Sequence, residues 1–433
     1  MKDLLFSNDR AGSYPPSYYA ATATQLDPFP TAQGALKADV VIIGAGFTGL
    51  SAALNLAQAG RDVILLDAQR VGFGASGRNG GQIASGQRQD QDEIEALMGL
   101  DDARKLWSIA QEANQLVRDL SSEMPDCGVK DGIIHACHRK RYVAHEHDYA
   151  EKMARDYGYD KIKPLDQNTL RGLCDSPRYY GGALDMGAGH IHPLNFALGL
   201  ARKCVAAGVR IFENSRVIGT DLAGAPHITT ELAEIKADQL LMACNGYLGG
   251  LNEQVAARVM PINNFILATE PLDQTTRDTI LRGDHAVADS KFVVNYFRFS
   301  DDHRMLFGGS ESYGYTFPRD IAAKVRKPME HIFPQLKGVR ADYAWGGTLA
   351  ITMRRMPYFA RLSDTALNAS GYSGSGVAMA TMGGKMAALA LQGQAERFDT
   401  MARIPTQRFP GGSGLRNPLL VAAMLWYQLR DMI

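Results

Sequence analysis

KADVVIIGAGFTGLSAALNLAQAGRDVILLD, residues 37–67, carries four signals in a fixed order. Residues 40–43 (VVII) form a β-branched run, as a parallel strand buried on both faces requires. Gly44-Ala45-Gly46-Phe47-Thr48-Gly49 follows at once and opens a helical stretch of small and apolar residues that closes at Gly60. A second apolar run, residues 63–66, ends on Asp67. Gly44 makes the tight turn, Gly46 lets a pyrophosphate approach the backbone, and Gly49 lets helix and strand pack closely. Backbone N–H groups at the helix start, around Phe47 and Thr48, present a positive dipole end to phosphates. Asp67, 18 residues past Gly49, stands where a carboxylate reaches the ribose hydroxyls of a dinucleotide.

The rest of the composition fits an enzyme of this type. The chain has 433 residues, 45% hydrophobic and 21% charged, enough for a sizeable core and two domains. Lys+Arg and Asp+Glu both number 46, so the net charge of zero gives no footprint for nucleic acid or an anionic membrane. The first residues, MKDLLFSNDR, lack the apolar segment of a signal peptide. Residues 419–427, the longest strongly apolar stretch, fall short of the roughly 20 a membrane span needs. Five cysteines without a CxxC pair read as reduced thiols of a cytoplasmic protein.

Which dinucleotide is decided downstream. An NAD fold continues into further βαβ units, but here Asp67, Ala68 and Gln69 lead into RVGFGASGRNGGQ, residues 70–82. That loop offers bare backbone at Ala75, Ser76, Gly80 and Gly81, with Arg78, Asn79 and Gln82 as polar side chains. It suits a chain lying along a longer cofactor, and no second GxGxxG marks a nicotinamide domain, so the site is read as one for FAD. Residues 209–221, VRIFENSRVIGTD, read as a strand pair that brings Val217 to the adenine. Residues 236–246 read as a strand ending at Cys244, Asn245 and Gly246 beside the site. GYSGSGVAMATMGGK, residues 371–385, is a glycine-rich turn into a helix. Through Gly371, Ser373, Gly374, Ser375, Gly376 and Val377 its N-terminus would face the flavin pyrimidine, where reduction accumulates negative charge.

With these residues in view the chain resembles the D-amino-acid oxidase/glycine oxidase superfamily of FAD-dependent oxidoreductases, and within it the γ-glutamylputrescine oxidase-like branch. The matching stretches are SYYAAT (17–22), VIIGAGFTGLSAA (41–53), GASGRNGGQ (74–82), GHIHPLNFALGLAR (189–202), ACNGYLGGL (243–251), TEPL (269–272), YFRFSDDHRMLFGG (296–309), WGGTLAIT (345–352) and GYSGSGVAMAT (371–381). Two departures stand out. Ser375 replaces the histidine usual in GYSGHG, and RMPYFAR (355–361) has Tyr358 and Ala360 where the branch has histidine and glycine.

The resemblance implies a primary or secondary amine as small-molecule substrate, γ-glutamylputrescine or a similar γ-glutamylated polyamine. It implies hydride transfer to flavin N5, imine hydrolysis to aldehyde and ammonia, and reoxidation by O2 to H2O2. Some members of the superfamily attach FAD through a cysteine in the C-terminal region; no cysteine follows Cys244 here, so the resemblance implies non-covalent FAD. Three alternatives stay open: an amino-acid or N-methyl-amino-acid dehydrogenase that passes electrons to a quinone, a protein whose FAD is structural, and an NAD-dependent enzyme.

The expected architecture is α/β: a discontinuous Rossmann-like FAD-binding domain (37–88, 185–260 and 340–395) and an α+β substrate domain on an antiparallel sheet (89–184 and 261–339). Residues 1–36 form an extension, and 396–433 a tail whose helix starts after Pro418. Residues 91–124 read as helix, with Leu106, Ile109, Ala113, Leu116, Val117 and Leu120 along one face. Residues 291–310 read as a hairpin turning at 301–304. Tyr296 and Arg298 then share a strand face, where Arg298 would hold a substrate carboxylate or, equally, face solvent. Arg355 is a second carboxylate anchor or a structural ion pair. His190 and His192, before a helix in AGHIHPLNF, are acid/base candidates or caps, and Lys291 is a candidate for promoting the oxygen reaction. His135, His138, His145 and His147 lack metal-ligand spacing, so no metal is expected. No GxSxG elbow supports a hydrolase.

Overall fold

A computed structural model describes residues 3–410; the helix expected after Pro418 lies outside them. Two sheets organise the chain. In the first, the strand Gly34–Ile43 runs parallel to Val63–Leu66 on one side and to Ala233–Met242 on the other, pairing Val40 with Val63 and Val41 with Leu240. Ala366–Ser370 and Tyr358–Arg361 continue the sheet past Ala233–Met242, and Arg210–Phe212 closes its other edge. Val40, Val41 and Ile42 are fully buried, which explains their continuous apolar run. The chain leaves the first strand toward neighbours on opposite sides, and the crevice so formed is where α/β sheets take ligands.

Helices cover this sheet. Phe47–Gln58 packs against Gly376–Leu391 and Pro193–Ala206, all rich in alanine and glycine, so the helices approach closely. Leu50 is fully buried there, worth about 2 kcal/mol by transfer of its surface from water. The expected helix at 91–124 is two helices, Gln91–Met98 and Leu100–Ser122, because Gly99 adopts φ +80° between them. Leu106, Ile109, Ala113 and Val117 are buried as the periodicity indicates, while Leu116 and Leu120 are half-buried at the margin.

The second sheet has nine strands and is antiparallel except where Ala286–Asp289 runs beside Lys130–Ala136. Its core holds Phe265, Phe297, Phe307 and Phe333, with the Phe297 and Phe307 rings stacked at 5.5 Å. Gly182–His190 and Ala341–Ile351 belong to this sheet, although the sequence boundaries at 185 and 340 put most of both strands with the nucleotide unit. The hairpin is shorter than expected, Tyr296–Phe299 with Arg304–Ser312. Residues 291–295 leave the strand because the buried Asp289 carboxylate captures the Lys291 N–H (3.2 Å) and the Asn295 N–H (2.9 Å). Residues 209–221 are two strands, yet not a pair. Arg210–Phe212 joins Val63–Leu66, and Val217–Asp221 joins His227–Thr230, with Asn214 at φ +50° turning the chain between them. No helix among the described residues is long and apolar enough to cross a membrane.

Candidate cofactor and substrate site

A cavity of about 2140 Å³ opens where Gly34–Ile43, Val63–Leu66 and Ala233–Met242 end, and it extends to the second sheet. A small-molecule pocket is roughly 300–1,000 Å³, so this space is large enough for a dinucleotide with a second molecule beside it.

Its inner wall is mostly backbone. Gly44 sits at φ +107°, and a Cβ there would stand 2.7 Å from the Ala243 carbonyl oxygen. A Cβ on Gly49 would overlap the Gly44 carbonyl, so Gly49 serves the turn's packing and does not line the cavity. The helices Phe47–Gln58 and Gly376–Leu391 both start at this wall, at Gly46–Thr48 and Gly374–Val377. Neither has a side-chain cap, and neither has an acidic residue in its first turn. Two uncapped helix starts aimed at one cavity suit an anionic ligand, which would supply what Asp or Ser caps normally do. Ser76 Oγ accepts the Phe47 N–H at 3.0 Å, which fixes loop 70–82 against the turn.

Asp67 lines the cavity and accepts the Ala45 and Gln69 N–H groups, both at 2.8 Å. Burial, with the nearby Glu213 charge adding to it, pushes its carboxyl up to about 6. Ala68, Val217, Cys244, Asn245 and Gly246 continue the wall. Burial raises the Cys244 thiol to about 12, so it stays protonated.

The loop supports the cavity more than it reaches into it. Asn79 donates to the Ala75 and Ser76 carbonyls and accepts the Gly81 N–H, so its amide braces the loop. Arg78 bonds the Phe73 carbonyl at 2.5 Å and Asp9 at 2.7 Å, stacks 4.2 Å above the Phe73 ring, and leaves a buried Nη2 without a partner among the described residues. That orphaned donor at the cavity wall is a further sign that a ligand completes the site. Gln82 lines the cavity with its amide on the Val287 carbonyl.

Three expected contacts fall elsewhere. Gln69 is fully buried, bonding the Gly12 N–H and the Leu5 carbonyl; it anchors the N-terminal segment, whose Asp3, Leu4 and Leu5 close the cavity. Gly81 and Gly371 lie behind the wall. Gly81 exchanges hydrogen bonds with Asn79 and Ile191, and the Gly371 N–H meets Asn245 Oδ1 at 3.0 Å.

Of the catalytic candidates, Tyr296 and Arg355 line the cavity, as does Lys291. The Tyr296 ring covers Gly80, where a Cβ would stand 2.7 Å away, and its hydroxyl donates to Asn264 Oδ1 at 2.6 Å. Desolvation keeps that phenol neutral. Arg298 does not reach the cavity. Its guanidinium donates to the carbonyls of Gly80, Phe299 and Ile191 and to the Tyr19 hydroxyl, so its geometry is spent on joining loop to sheet. His190 is buried behind the wall with Nε2 donating to the Asp284 carbonyl at 2.7 Å. Burial and the Arg298 charge lower it to about 3, so it stays neutral away from any substrate. His192 is a cap, its Nδ1 accepting the Asn195 N–H. Tyr358 and Ala360 sit on the edge strand Tyr358–Arg361, outside the cavity wall, whereas Ser375 is on it.

Sequence reading named Lys291 and Arg355 but missed the rest of the outer wall. Arg88, Glu311, Phe292, Asn264 and Tyr247 all line the cavity, each from a different segment. A polar break in an apolar strand, as at Glu311 after MLFGGS, is the faint signal available.

Comparisons with known proteins agree with this geometry. The DAO family of FAD dependent oxidoreductases matches residues 39–390. The chain is 38% identical over 419 residues to gamma-glutamylputrescine oxidoreductase of Escherichia coli (strain K12), covering 96% of this chain and 98% of that one. It is 40% identical over 417 residues to the probable oxidoreductase OrdL of Rhizobium meliloti (strain 1021), covering 96% and 97%. In fold it is similar to glycine oxidase from Geobacillus kaustophilus, with a TM-score of 0.72 at 18% identity over 87% of this chain and 100% of that one.

Proposed function

The chain belongs to the DAO family of FAD-dependent oxidoreductases, and from that premise we propose that it oxidises the terminal amine of γ-glutamylputrescine or a similar γ-glutamylated polyamine. The observation that carries the substrate is the 38% identity, over nearly the whole of both chains, to a gamma-glutamylputrescine oxidoreductase. A cavity of about 2140 Å³ with a charged outer wall supports it, since a long polar amine needs more room than glycine does.

Bound at the inner wall, FAD supplies the two-electron sink for oxidation of the C–H bond beside the amine. The residues of this chain position and desolvate. The helix starts at Gly46 and Ser375 favour negative charge at the cofactor. Tyr296, held neutral over Gly80, closes the seam between loop and sheet against water. Lys291, on the wall, supplies a cation for the oxygen reaction. The net reaction is amine, O2 and water to aldehyde, ammonia and H2O2. Five thiols without a disulfide support the cytoplasm as its compartment.

The test is a visible spectrum of the purified holoenzyme, repeated without oxygen after adding γ-glutamylputrescine. Immediate bleaching, with peroxide formed when air returns, is expected. Bleaching without peroxide would move the electron acceptor to a quinone, and no bleaching by this amine would end the substrate assignment.

A further inference from the structure

Ser290, Lys291, Phe292 and Val294 follow one another along the cavity wall, in a loop that leaves the strand Ala286–Asp289 and returns into Tyr296–Phe299. Asp289, 5% exposed, closes the neck of that loop. Its N–H donates to the Asn295 carbonyl at 2.9 Å. Its Oδ1 accepts the Lys291 N–H at 3.2 Å and the Asn295 N–H at 2.9 Å, and its Oδ2 accepts Asn295 Nδ2 at 2.7 Å. The Tyr179 hydroxyl adds a longer contact at 3.5 Å. Both sides of the neck rest on the glycine-rich loop of the inner wall. Gln82 donates to the carbonyl of Val287, just before Asp289, and the ring of Tyr296, just after Asn295, covers Gly80.

Burying a carboxylate is costly, and an asparagine would accept the same amide protons with no charge to desolvate. The carboxylate adds two things. Its charge-assisted bonds are roughly twice as strong as neutral ones, which holds a short irregular loop in one place. Its charge also acts on the Lys291 ammonium: burial pushes the Asp289 carboxyl up to about 6, and Asn295 and Lys291 draw it down. We propose that Asp289 is a positioning residue for the oxygen step, closing the neck of the loop 290–294 and so fixing the Lys291 ammonium on the cavity wall. This rests on the oxidase reading above. In that step O2 takes two electrons and two protons from the reduced cofactor and leaves as H2O2. Negative charge develops on the oxygen, and a cation already in place stabilises it without reorganisation.

The test uses purified holoenzyme reduced by light, which needs no amine, and mixed with O2 in a stopped-flow cell. Hydrogen exchange over residues 290–296 of the oxidised holoenzyme is read beside it, and FAD content shows that each variant is folded. Lys291→Met is expected to slow reoxidation about tenfold and leave loop exchange unchanged. Asp289→Ala is expected to raise loop exchange about tenfold and slow reoxidation about as much, with the double variant no slower than Lys291→Met. Asp289→Asn keeps an acceptor for both N–H groups and should recover most of both losses. Should Asp289→Ala lose its FAD, Asn295→Ala takes its place; it removes the amide on Oδ2 alone and should move both readouts the same way by about threefold. Native reoxidation in Lys291→Met, unchanged loop exchange or reoxidation in the Asp289→Ala or Asn295→Ala variant, or additive effects in the double variant would each overturn the assignment. A native reduced enzyme that meets O2 no faster than free reduced flavin would end the oxidase reading and this role with it. Failure of the variants alone would end the role and leave the oxidase reading standing.

Discussion

The inner and outer walls of one cavity are built on opposite plans. The inner wall is glycine backbone and helix starts, held in place by carbonyls and amides around residues 44–49, 74–82 and 374–377. The outer wall is side chains, Arg88, Lys291, Phe292, Glu311 and Arg355, brought together from separate segments. A backbone site must be contiguous, because successive N–H groups have to face the ligand, and it demands glycine where a Cβ would collide. A side-chain site has neither constraint. The inner wall therefore serves any molecule with the cofactor's phosphates, while the outer wall is where relatives with one fold can part in substrate.

The largest effect expected from breaking this contrast is at Gly44. Gly44→Val combines φ +107° with a Cβ 2.7 Å from the Ala243 oxygen, strain of about 3 kcal/mol or more. The purified variant should be colourless and melt well below the native protein. A yellow variant with native melting would mean that the turn tolerates side chains.

Next is Arg298, which sequence reading placed at the substrate. Arg298→Met leaves the Gly80, Ile191 and Phe299 carbonyls without a donor they now have, a loss of about 3 kcal/mol. Thermal unfolding should report it while KM stays near native in the protein that remains folded. Lysine should not rescue, since one ammonium cannot reproduce the planar fork. A raised KM with unchanged melting would restore Arg298 to the substrate wall.

A third effect is in pH. The Asp67 carboxyl lies at about 6 in the folded chain, above the roughly 3.9 of an exposed aspartate. A raised carboxyl favours folding when protonated, so its contribution is full below about pH 4 and lost as pH rises through 6. Apoprotein melting should fall across that window. Asp289, also pushed to about 6 by burial, titrates alongside, so Asp67→Asn should remove only part of the fall. Hydroxyl donors of a bound ribose favour the ionised form, so the holoenzyme should lose less. A melting temperature flat from pH 4 to 6 in the apoprotein would contradict the burial of both groups.

Much of the fold and of the inner wall was legible for the reason given above. The strand–glycine turn–helix–strand run of residues 37–67, the loop at 70–82 and the helix start at 371–377 each announce themselves locally. What failed to show was direction. Gln69, Asn79 and Arg298 are polar residues of the expected type in the expected segments, yet their side chains turn to the protein: Gln69 to Gly12 and Leu5, Asn79 to Ala75 and Ser76, Arg298 to Gly80 and Ile191. A bare loop needs bracing, and sequence does not separate bracing groups from contacting ones. Arg88 was invisible for the converse reason, since nothing in SGQRQD distinguishes it until Gln87, Gln89 and Gln91 are seen to pin the segment.

Gln69 tests that distinction at moderate cost. Gln69→Ala releases the Gly12 N–H and the Leu5 carbonyl, and with them the segment that closes the cavity. FAD should dissociate about tenfold faster, the equivalent of one or two hydrogen bonds. Removal of residues 1–12 should do the same, and combining the two should add nothing. Additive effects would return Gln69 to direct contact with the cofactor.

The smallest effect belongs to the two departures from the branch, which sequence alone could not rank. Ser375 caps nothing with its side chain and lines the cavity at the start of Gly376–Leu391, so Ser375→His adds a ring at the inner wall and should change kcat. Tyr358 sits on the edge strand, its hydroxyl accepting from Gln254 at 3.3 Å and its ring 5.7 Å from the Arg258 guanidinium. Tyr358→His exchanges those contacts for similar ones, a difference of under about 1 kcal/mol, so Gln254 and Arg258, which line the cavity, keep comparable partners. Steady-state kinetics on both variants should show kcat and KM unchanged within about twofold in Tyr358→His. A larger shift there would mean that the edge strand acts on the cavity through the turn at Arg355, three residues away along the chain.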